Sequence, residues 1–294
     1  MNWLRQAILR NFYAKVALFI ALEISMRRAI VLPAILAALS LGACGKKDDA
    51  AAPGAAGSTG SAASAADPWP AVAPLLVGNG GRSYTGGCTR TPQLDTIEAS
   101  ISLDAEGKMT APDLSADVRK PQLITLTRET AGGVVKASAM LSMDADKGPV
   151  LTLNDQGNPQ EASASVVRGE QSLSCPKGPA LDGLRGQPLY KSMARFIETP
   201  GVALKCFSPA NPMDTKAAEY KLAGGIVTVG SDSFDLSRAT TEMVMIMPGE
   251  NQVTYVFQLP AGPMFHVTYD TAGKLIGLQR QVTGGVADGC QADA

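Results

Sequence analysis

Two stretches of alternating side chains decide the fold class of this chain. Residues 97–103 read IEASISL, and residues 253–259 read VTYVFQL. Apolar side chains at every second position turn one side of an extended segment toward a core and the other toward water. Turn-forming sequences such as Asp104–Gly107 and Asp270–Gly273 separate runs of this kind. The sequence therefore predicts a mainly β (α+β) fold made of antiparallel sheet.

Landmarks of the first part of the body recur in the second part at a nearly constant offset. Cys88 is followed 118 residues later by Cys206, and Cys175 is followed 115 residues later by Cys290. Three more pairs recur at offsets of 114–115 residues: Pro74-Leu75-Leu76 with Pro188-Leu189-Tyr190, Gly148-Pro149 with Gly262-Pro263, and Asp155 with Asp270. Such a period indicates two copies of one unit, and convergence of two β-rich stretches is the alternative.

We predict two tandem antiparallel β-sheet units of similar fold, at residues 68–183 and 184–294, with about six strands each. The boundary is expected near residues 176–186, where four of the first nine residues are glycine or proline. A short helix is expected to lead each unit. In the second unit it follows Pro188 and ends before Pro200-Gly201, and the matching segment of the first unit is Pro70–Val77.

Residues 26–44 carry the pattern of an export signal. Arg27 and Arg28 are followed by a mostly apolar run, residues 29–41, which is shorter than a membrane-spanning helix. The run ends in Leu41-Gly42-Ala43-Cys44, which resembles the lipobox of bacterial lipoproteins. The resemblance implies a signal peptide at residues 26–43 and a palmitate-bearing lipid on Cys44, so that the lipid bilayer is a partner. Residues 1–25 are then an upstream extension before a start at Met26, or a second membrane segment.

Residues 44–67 comprise the lipidated cysteine and a linker rich in alanine, glycine and serine, which is expected to be a flexible tether. Gly45 follows the cysteine, and the lipoprotein resemblance then implies the outer membrane, with the body facing the periplasm or the cell surface. Without residues 1–43, the chain keeps 21 cationic and 26 anionic side chains, a net charge of −5. An acidic body lacks the basic surface that nucleic-acid binding needs.

Four cysteines remain once Cys44 is lipidated, and an even number in an exported protein predicts disulfide bonds. Of the three pairings, the repeat selects Cys88–Cys175 and Cys206–Cys290, one in each unit. A metal or redox role is the alternative, but the chain contains no CxxC motif and no histidine close to any cysteine in sequence.

The chain offers few residues for catalysis. His266 is the single histidine, and we expect it to point away from the core without a function. Met243, Met245 and Met247 alternate on a predicted strand, where they either fill a core or, with Met264 and His266, bind Cu(I). Ser174-Cys175-Pro176-Lys177 matches the SxxK string of penicillin-recognising enzymes, but the partner motifs SDN and KTG do not occur.

We therefore predict a membrane-anchored, non-enzymatic binding or structural module of the cell envelope, without a cofactor. Its partner would be an envelope protein or peptidoglycan. The alternatives are a carrier of a small ligand or copper, and a hydrolase that uses a pair of carboxylates.

Overall fold

The computed structural model describes residues 67–292, apart from residues 79, 144–147, 158–161, 209–210, 239–240, 259–261 and 283–284. Cys44, the predicted signal peptide and nearly all of the predicted linker lie outside the described residues. The described residues belong to one compact unit. That unit is mainly antiparallel β-structure, which confirms the predicted class.

Within the described residues, eighteen strands and three α-helices follow one another along the chain. The N-terminal strand set consists of β1 (Arg82–Thr91), β2 (Thr96–Leu103), β3 (Lys108–Ala111), β4 (Leu114–Asp117), β5 (Leu123–Ala131), β6 (Val134–Ser142), β7 (Val150–Asp155), β8 (Ala162–Arg168) and β9 (Gln171–Gly178). The C-terminal strand set consists of β10 (Thr199–Ser208), β11 (Asn211–Ala223), β12 (Ile226–Val229), β13 (Asp232–Asp235), β14 (Thr241–Pro248), β15 (Gln252–Gln258), β16 (Met264–Asp270), β17 (Leu275–Val282) and β18 (Gly285–Ala292). The helices are α1 (Trp69–Leu76), α2 (Asp182–Arg185) and α3 (Leu189–Ile197), and a 3-10 helix spans Leu236–Arg238.

Hydrogen bonds connect these strands into a single antiparallel sheet. In the N-terminal set, β1 lies between β2 and β9, β2 continues to β3 and β4, and β9 continues through β8, β7 and β6 to β5. In the C-terminal set, β10 lies between β11 and β18, and the two arms follow in the corresponding order to β13 and β14. Strands β5 and β14 pair with each other, with Leu126 opposite Val244. The sequence led us to expect two separate units. The two sets are instead parts of one sheet.

Each set has nine strands where the sequence indicated about six. The additional strands include β3, β4, β12 and β13, which have four residues each. A four-residue strand shows at most two apolar positions on one face, so its period cannot be told from that of a turn. The predicted boundary between residues 183 and 184 lies inside α2, a short helix between the two sets.

The side chains of each central strand alternate between a core face and an outward face. On β5, Ile124 and Leu126 are fully buried, whereas Thr125 and Thr127 are half-buried. The helices cover the core face: α1 contacts α2 and α3, α2 contacts β5 and β6, and α3 contacts β5 and β14. Small hydroxyl-bearing side chains on the outward face and aliphatic ones on the core face are what a sheet with one wet side requires.

Helix α3 forms where the sequence predicts a helix. The carbonyl of Pro188 accepts hydrogen bonds from the N–H groups of Lys191 and Ser192, at 3.0 and 3.1 Å. Leu189 and Met193 share its buried face, with no exposed surface. The helix ends at Ile197 because β10 begins at Thr199. It therefore seals the core over the junction of β5 and β14.

Candidate functional site

Both predicted disulfide bonds are present. Cys88 of β1 is bonded to Cys175 of β9, and Cys206 of β10 is bonded to Cys290 of β18. Each bond joins the first strand of a set to its last strand, because those two strands are neighbours in the sheet. All four sulfurs are therefore in disulfide bonds, so none of them is a free thiol that could bind a metal.

Two buried carboxylates hold the segment that connects the two strand sets. Asp155 accepts a hydrogen bond from the N–H of Leu181, at 2.7 Å, and pairs with Arg185. Glu242 accepts one from the N–H of Leu189, at 3.0 Å, and pairs with Arg128, at 2.9 Å.

Burial raises the pKa of Glu242, and the hydrogen bond from Arg128 opposes that shift. Each of the two carboxylates is already saturated by an arginine and a backbone N–H. This arrangement gives no support to the predicted alternative of a carboxylate-dependent hydrolase, which needs two carboxylates facing a common substrate.

A cleft opens where β1 and β8 end and β9 begins. It has a volume of about 190 Å³. Its base is apolar and its rim is polar. The base consists of Ile97, Ala111, Leu114, Val166 and Leu173, and the rim of Arg90, Thr91, Gln93, Asp113, Arg168, Gln171 and Ser172. We call this site the β1–β9 cleft.

The charges of the β1–β9 cleft are unevenly compensated. Arg90 forms a two-pronged ion pair with Asp95, and its hydrogen bond lowers the pKa of that carboxyl group. Asp113 contributes a further negative charge near Arg90. Arg168, on the opposite side of the cleft, forms no ion pair with any carboxylate in the part of the chain that the structure describes. Its guanidinium group is therefore available to an acidic ligand.

Two turns beside the β1–β9 cleft have backbone angles that are unusual for their residues. Leu94, in the turn from β1 to β2, has φ of 57°, and Asp113, in the turn from β3 to β4, has φ of 59°. Among the described residues they are the two that combine positive φ with a side chain. The conformation costs about 1–3 kcal/mol each, and strain of this kind is concentrated at functional sites. The side chain of Leu94 is also 78% exposed, next in sequence to the rim residue Gln93.

The methionines and the histidine singled out in the sequence lie on the outward face of the sheet. Met243, Met245 and Met247 are half-buried there, and the core positions of β14 are Val244 and Ile246. The expectation that these methionines fill a core is therefore wrong. His266 also lies on the outward face, as predicted, but it is 8% exposed instead of open to solvent. Ser174 and Lys177 are exposed on β9.

The β1–β9 cleft was not predicted from the sequence. Its residues come from six strands and two turns, some of them far apart in the chain, and arginine, glutamine and serine at strand ends are ordinary surface residues. One local signal was present. The turn Thr91–Asp95 contains no glycine, so any positive φ within it falls on a residue with a side chain, for which that conformation is less favourable.

No helix in the described ranges is long and apolar enough to cross a membrane. No group of three or more histidine, cysteine, aspartate or glutamate side chains among those residues is placed to hold a metal ion. No protein-family model matches the chain. No curated protein matches it significantly either.

Proposed function

We propose that this chain is a lipoprotein of the cell envelope, anchored through Cys44, whose body is a non-enzymatic binding module. The signal-like segment at residues 26–44 supports the anchor, and the outer membrane is the location that Gly45 favours. Two disulfide bonds fit an oxidising compartment. The linker would then separate the folded body from the bilayer.

The anchor is tested by labelling cells with a palmitate analogue. Wild-type protein should incorporate the label and fractionate with membranes, whereas Cys44→Ser should do neither and should accumulate as a larger precursor. Lys47→Ser is the matched control, because it changes the linker and leaves both Cys44 and the disulfide bonds in place. Labelling of Cys44→Ser at the wild-type level would refute the anchor and leave the binding module untouched.

The observation that carries the binding function is the β1–β9 cleft with the uncompensated Arg168. At about 190 Å³ the cleft is smaller than the roughly 300–1,000 Å³ of sites that enclose whole small molecules. A site of this size holds one end of a larger ligand. Its apolar base suits a small aliphatic side chain, and Arg168 with the amides of Gln93 and Gln171 suits a carboxylate. The ligand class that we propose is therefore a short peptide with a free carboxylate, from a protein terminus or from the peptide part of peptidoglycan.

Paired peptides test this assignment. Short alanine-rich peptides with a free carboxylate are titrated into the mature protein, and the same peptides with an amidated end serve as the chemical control. The free-acid peptides should bind in a calorimetric titration and the amides should bind at least tenfold more weakly. Arg168→Gln should abolish the difference, whereas Arg119→Gln, at an exposed arginine paired with Asp117, should retain it. Equal binding of acids and amides would contradict the proposal.

We further propose that the two strand sets are copies of one ancestral unit, each with a leading helix. The carbonyl of Pro68 accepts from the N–H groups of Ala71 and Val72, at the 3.0 and 3.1 Å found again at Pro188. Gly107 and Gly225 both have φ of 82°. Their carbonyls accept from Val118 and Leu236, each at 2.8 Å.

These contacts match Pro188 with Pro68, not with Pro74 as the sequence comparison had it. Pro74 lies within α1, whereas Pro68 and Pro188 both precede the first residue of a helix.

A further inference from the structure

The N-terminal strand set ends at an edge strand, β4. In the part of the chain that the structure describes, β4 pairs with β3 alone. The N–H of Val118, which follows β4, donates to the carbonyl of Gly107 at 2.8 Å. Bonded and non-bonded pairs alternate along an antiparallel ladder, so Ala116 bonds to β3, whereas the N–H and C=O groups of Ser115 and Asp117 point away from it. Backbone groups oriented in this way are a template for a further strand.

Apolar side chains beside this edge are incompletely covered. On the core face of β3, Met109 has no exposed surface and Ala111 is 9% exposed. The register places Ala116 and Leu114 opposite them, and both are only half-buried. Leu114 also belongs to the base of the β1–β9 cleft. The cleft and the edge of β4 therefore form one continuous apolar surface, which a strand added to β4 would cover.

The position of the β1–β9 cleft sets the direction of such a strand. The cleft lies at Leu114, the first residue of β4, and β4 runs from it toward Asp117. A peptide with its C-terminal residue in the cleft therefore runs antiparallel to β4, as β4 does to β3. With its last residue opposite Leu114, its last side chain faces the cleft base, and its second-to-last residue exchanges two backbone hydrogen bonds with Ser115. The terminal carboxylate stays in the cleft, whose rim carries Arg168.

The same place in the C-terminal strand set is closed by ion pairs. Counted from the disulfide cysteines and from the turns after β3 and β12, three apolar residues of the cleft base have charged counterparts: Asp232 for Leu114, Arg280 for Val166, and Asp288 for Leu173. Arg280 forms ion pairs with both aspartates and so joins β13 to β17. Three aliphatic side chains cannot form such bonds, and they leave an apolar base. The difference favours a ligand site in the N-terminal set.

We propose that the β1–β9 cleft and the edge of β4 together bind the extended C-terminal tail of another protein, which adds a strand antiparallel to β4. This rests on the function proposed above and narrows its ligand to a tail of L-residues. The last residue is small and apolar, to fit a cleft of about 190 Å³, and the third-to-last residue lies beside Ala116. Strand addition needs L-residues throughout, because only then do alternate side chains share a face. The stem peptides of peptidoglycan mix D- and L-residues and do not meet this requirement.

Paired variants at the two edge strands test the proposal. The probe is a six-residue peptide of L-residues that ends in valine, alanine and valine with a free carboxylate, and it is titrated calorimetrically into the mature protein. Ser115→Pro removes an outward N–H of β4 and leaves the cleft side chains in place, so it should weaken binding at least tenfold. Ser233→Pro is the matched control, because Ser233 holds the same register position on β13. Its affinity should stay within twofold of wild type.

Methylated peptides give a second readout that leaves the protein unchanged. A methyl group on the nitrogen of the second-to-last residue removes the hydrogen bond to the carbonyl of Ser115 and should weaken binding at least tenfold. The nitrogen of the third-to-last residue, opposite Ala116, points away from β4, so a methyl group there should have less than a threefold effect. Equal effects of the two methylated peptides, or equal affinities of Ser115→Pro and Ser233→Pro, would overturn strand addition.

These outcomes differ from failure of the proposed function. If free acids bind better than amides and Arg168→Gln abolishes that preference, while the two proline variants bind equally, the carboxylate site stands and strand addition is wrong. If no free-acid peptide binds, both proposals fail. A peptidoglycan stem peptide that binds as tightly as the L-peptide, and equally well to Ser115→Pro, would overturn the assignment to a protein tail.

Discussion

The two strand sets share one order of pairing but fill their cores differently. Between residues 82 and 178, Tyr84 is the single aromatic residue, and the rest of the core is mostly alanine, leucine, valine and isoleucine. Between residues 199 and 292, large aromatic side chains occupy the core: Tyr220, Tyr255, Phe257, Phe265 and Tyr269. Pairing order thus depends on alternation and turn positions, and it tolerates the addition of several large aromatic side chains to an aliphatic core.

The helices account for part of this difference. Trp69 of α1 lies against Gly107, in the turn between β2 and β3 of the N-terminal set, and α2 contacts β5 and β6 of that set. In the C-terminal set, a tyrosine side chain contacts the end of α3 instead. The hydroxyl of Tyr269 donates to the carbonyl of Ile197, at 3.0 Å, and lies 2.7 Å from the hydroxyl of Thr199. Burial raises the pKa of Tyr269 to about 12. In the C-terminal set, large aromatic side chains therefore fill core space that helices cover in the N-terminal set.

The largest expected effect concerns the disulfide bonds, which should matter equally in both sets if the sets are equivalent. The loops that they close span 87 and 84 residues. In the chain-entropy model, loops of this size contribute about 4–5 kcal/mol. Cys88→Ala with Cys175→Ala, and Cys206→Ala with Cys290→Ala, should therefore each lower the free energy of unfolding by similar amounts in urea titrations. If only one of the two double variants lost stability, the two strand sets would not be equivalent.

The next effect concerns the junction between the sets, where Arg128 of β5 lies opposite Glu242 of β14. Arg128→Met should lower the free energy of unfolding by about 3–5 kcal/mol at neutral pH, because it leaves a buried carboxylate without its partner.

The size of this loss should depend on pH. The folded-state pKa of Glu242 is already raised by burial, and removing Arg128 raises it further. Protonation relieves the unpaired charge, so the loss should shrink as the pH falls through that raised pKa and grow as the pH rises. The double variant Arg128→Met/Glu242→Leu is the control, and its stability should not show this pH dependence. A loss for Arg128→Met that is constant with pH would contradict the account.

Much of this architecture follows from local sequence. Period-two segments identify β2 and β15, the proline before Leu189 marks the start of α3, and the repeated cysteines give the two disulfide pairs. The junction of β5 with β14 does not follow, because pairing between distant strands leaves no mark in either strand. The β1–β9 cleft could not be predicted for the same reason, because its lining residues come from strands that are distant in the chain.

A smaller effect is expected at the two glycines that occupy corresponding turns. A Cβ at Gly107 would lie 2.8 Å from the ring of Trp69, and a Cβ at Gly225 would lie 2.4 Å from the ring of Tyr190. Gly107→Ala and Gly225→Ala should each cost about 2–4 kcal/mol, from positive φ together with overpacking.

Gly224→Ala is the matched control, because Gly224 also has positive φ but has no neighbour within 4 Å of the added methyl group. It should cost about 1 kcal/mol, as expected for positive φ alone. Thermal unfolding distinguishes the three variants. Equal losses at Gly224 and Gly225 would show that α3 does not pack against its turn as α1 does.

The most direct test of the binding function is photo-crosslinking in intact cells, with benzoylphenylalanine placed at Gln171 on the rim of the β1–β9 cleft. The matched control carries the same group at Lys136, which is exposed on β6 outside the cleft. Irradiation should give an adduct at position 171 that is absent at position 136 and lost when Arg168→Gln is added. Mass spectrometry should identify its ligand as a peptide with a free carboxylate. Adducts of equal yield at both positions, or an adduct at position 171 that survives Arg168→Gln, would contradict the assignment of the cleft as the binding site.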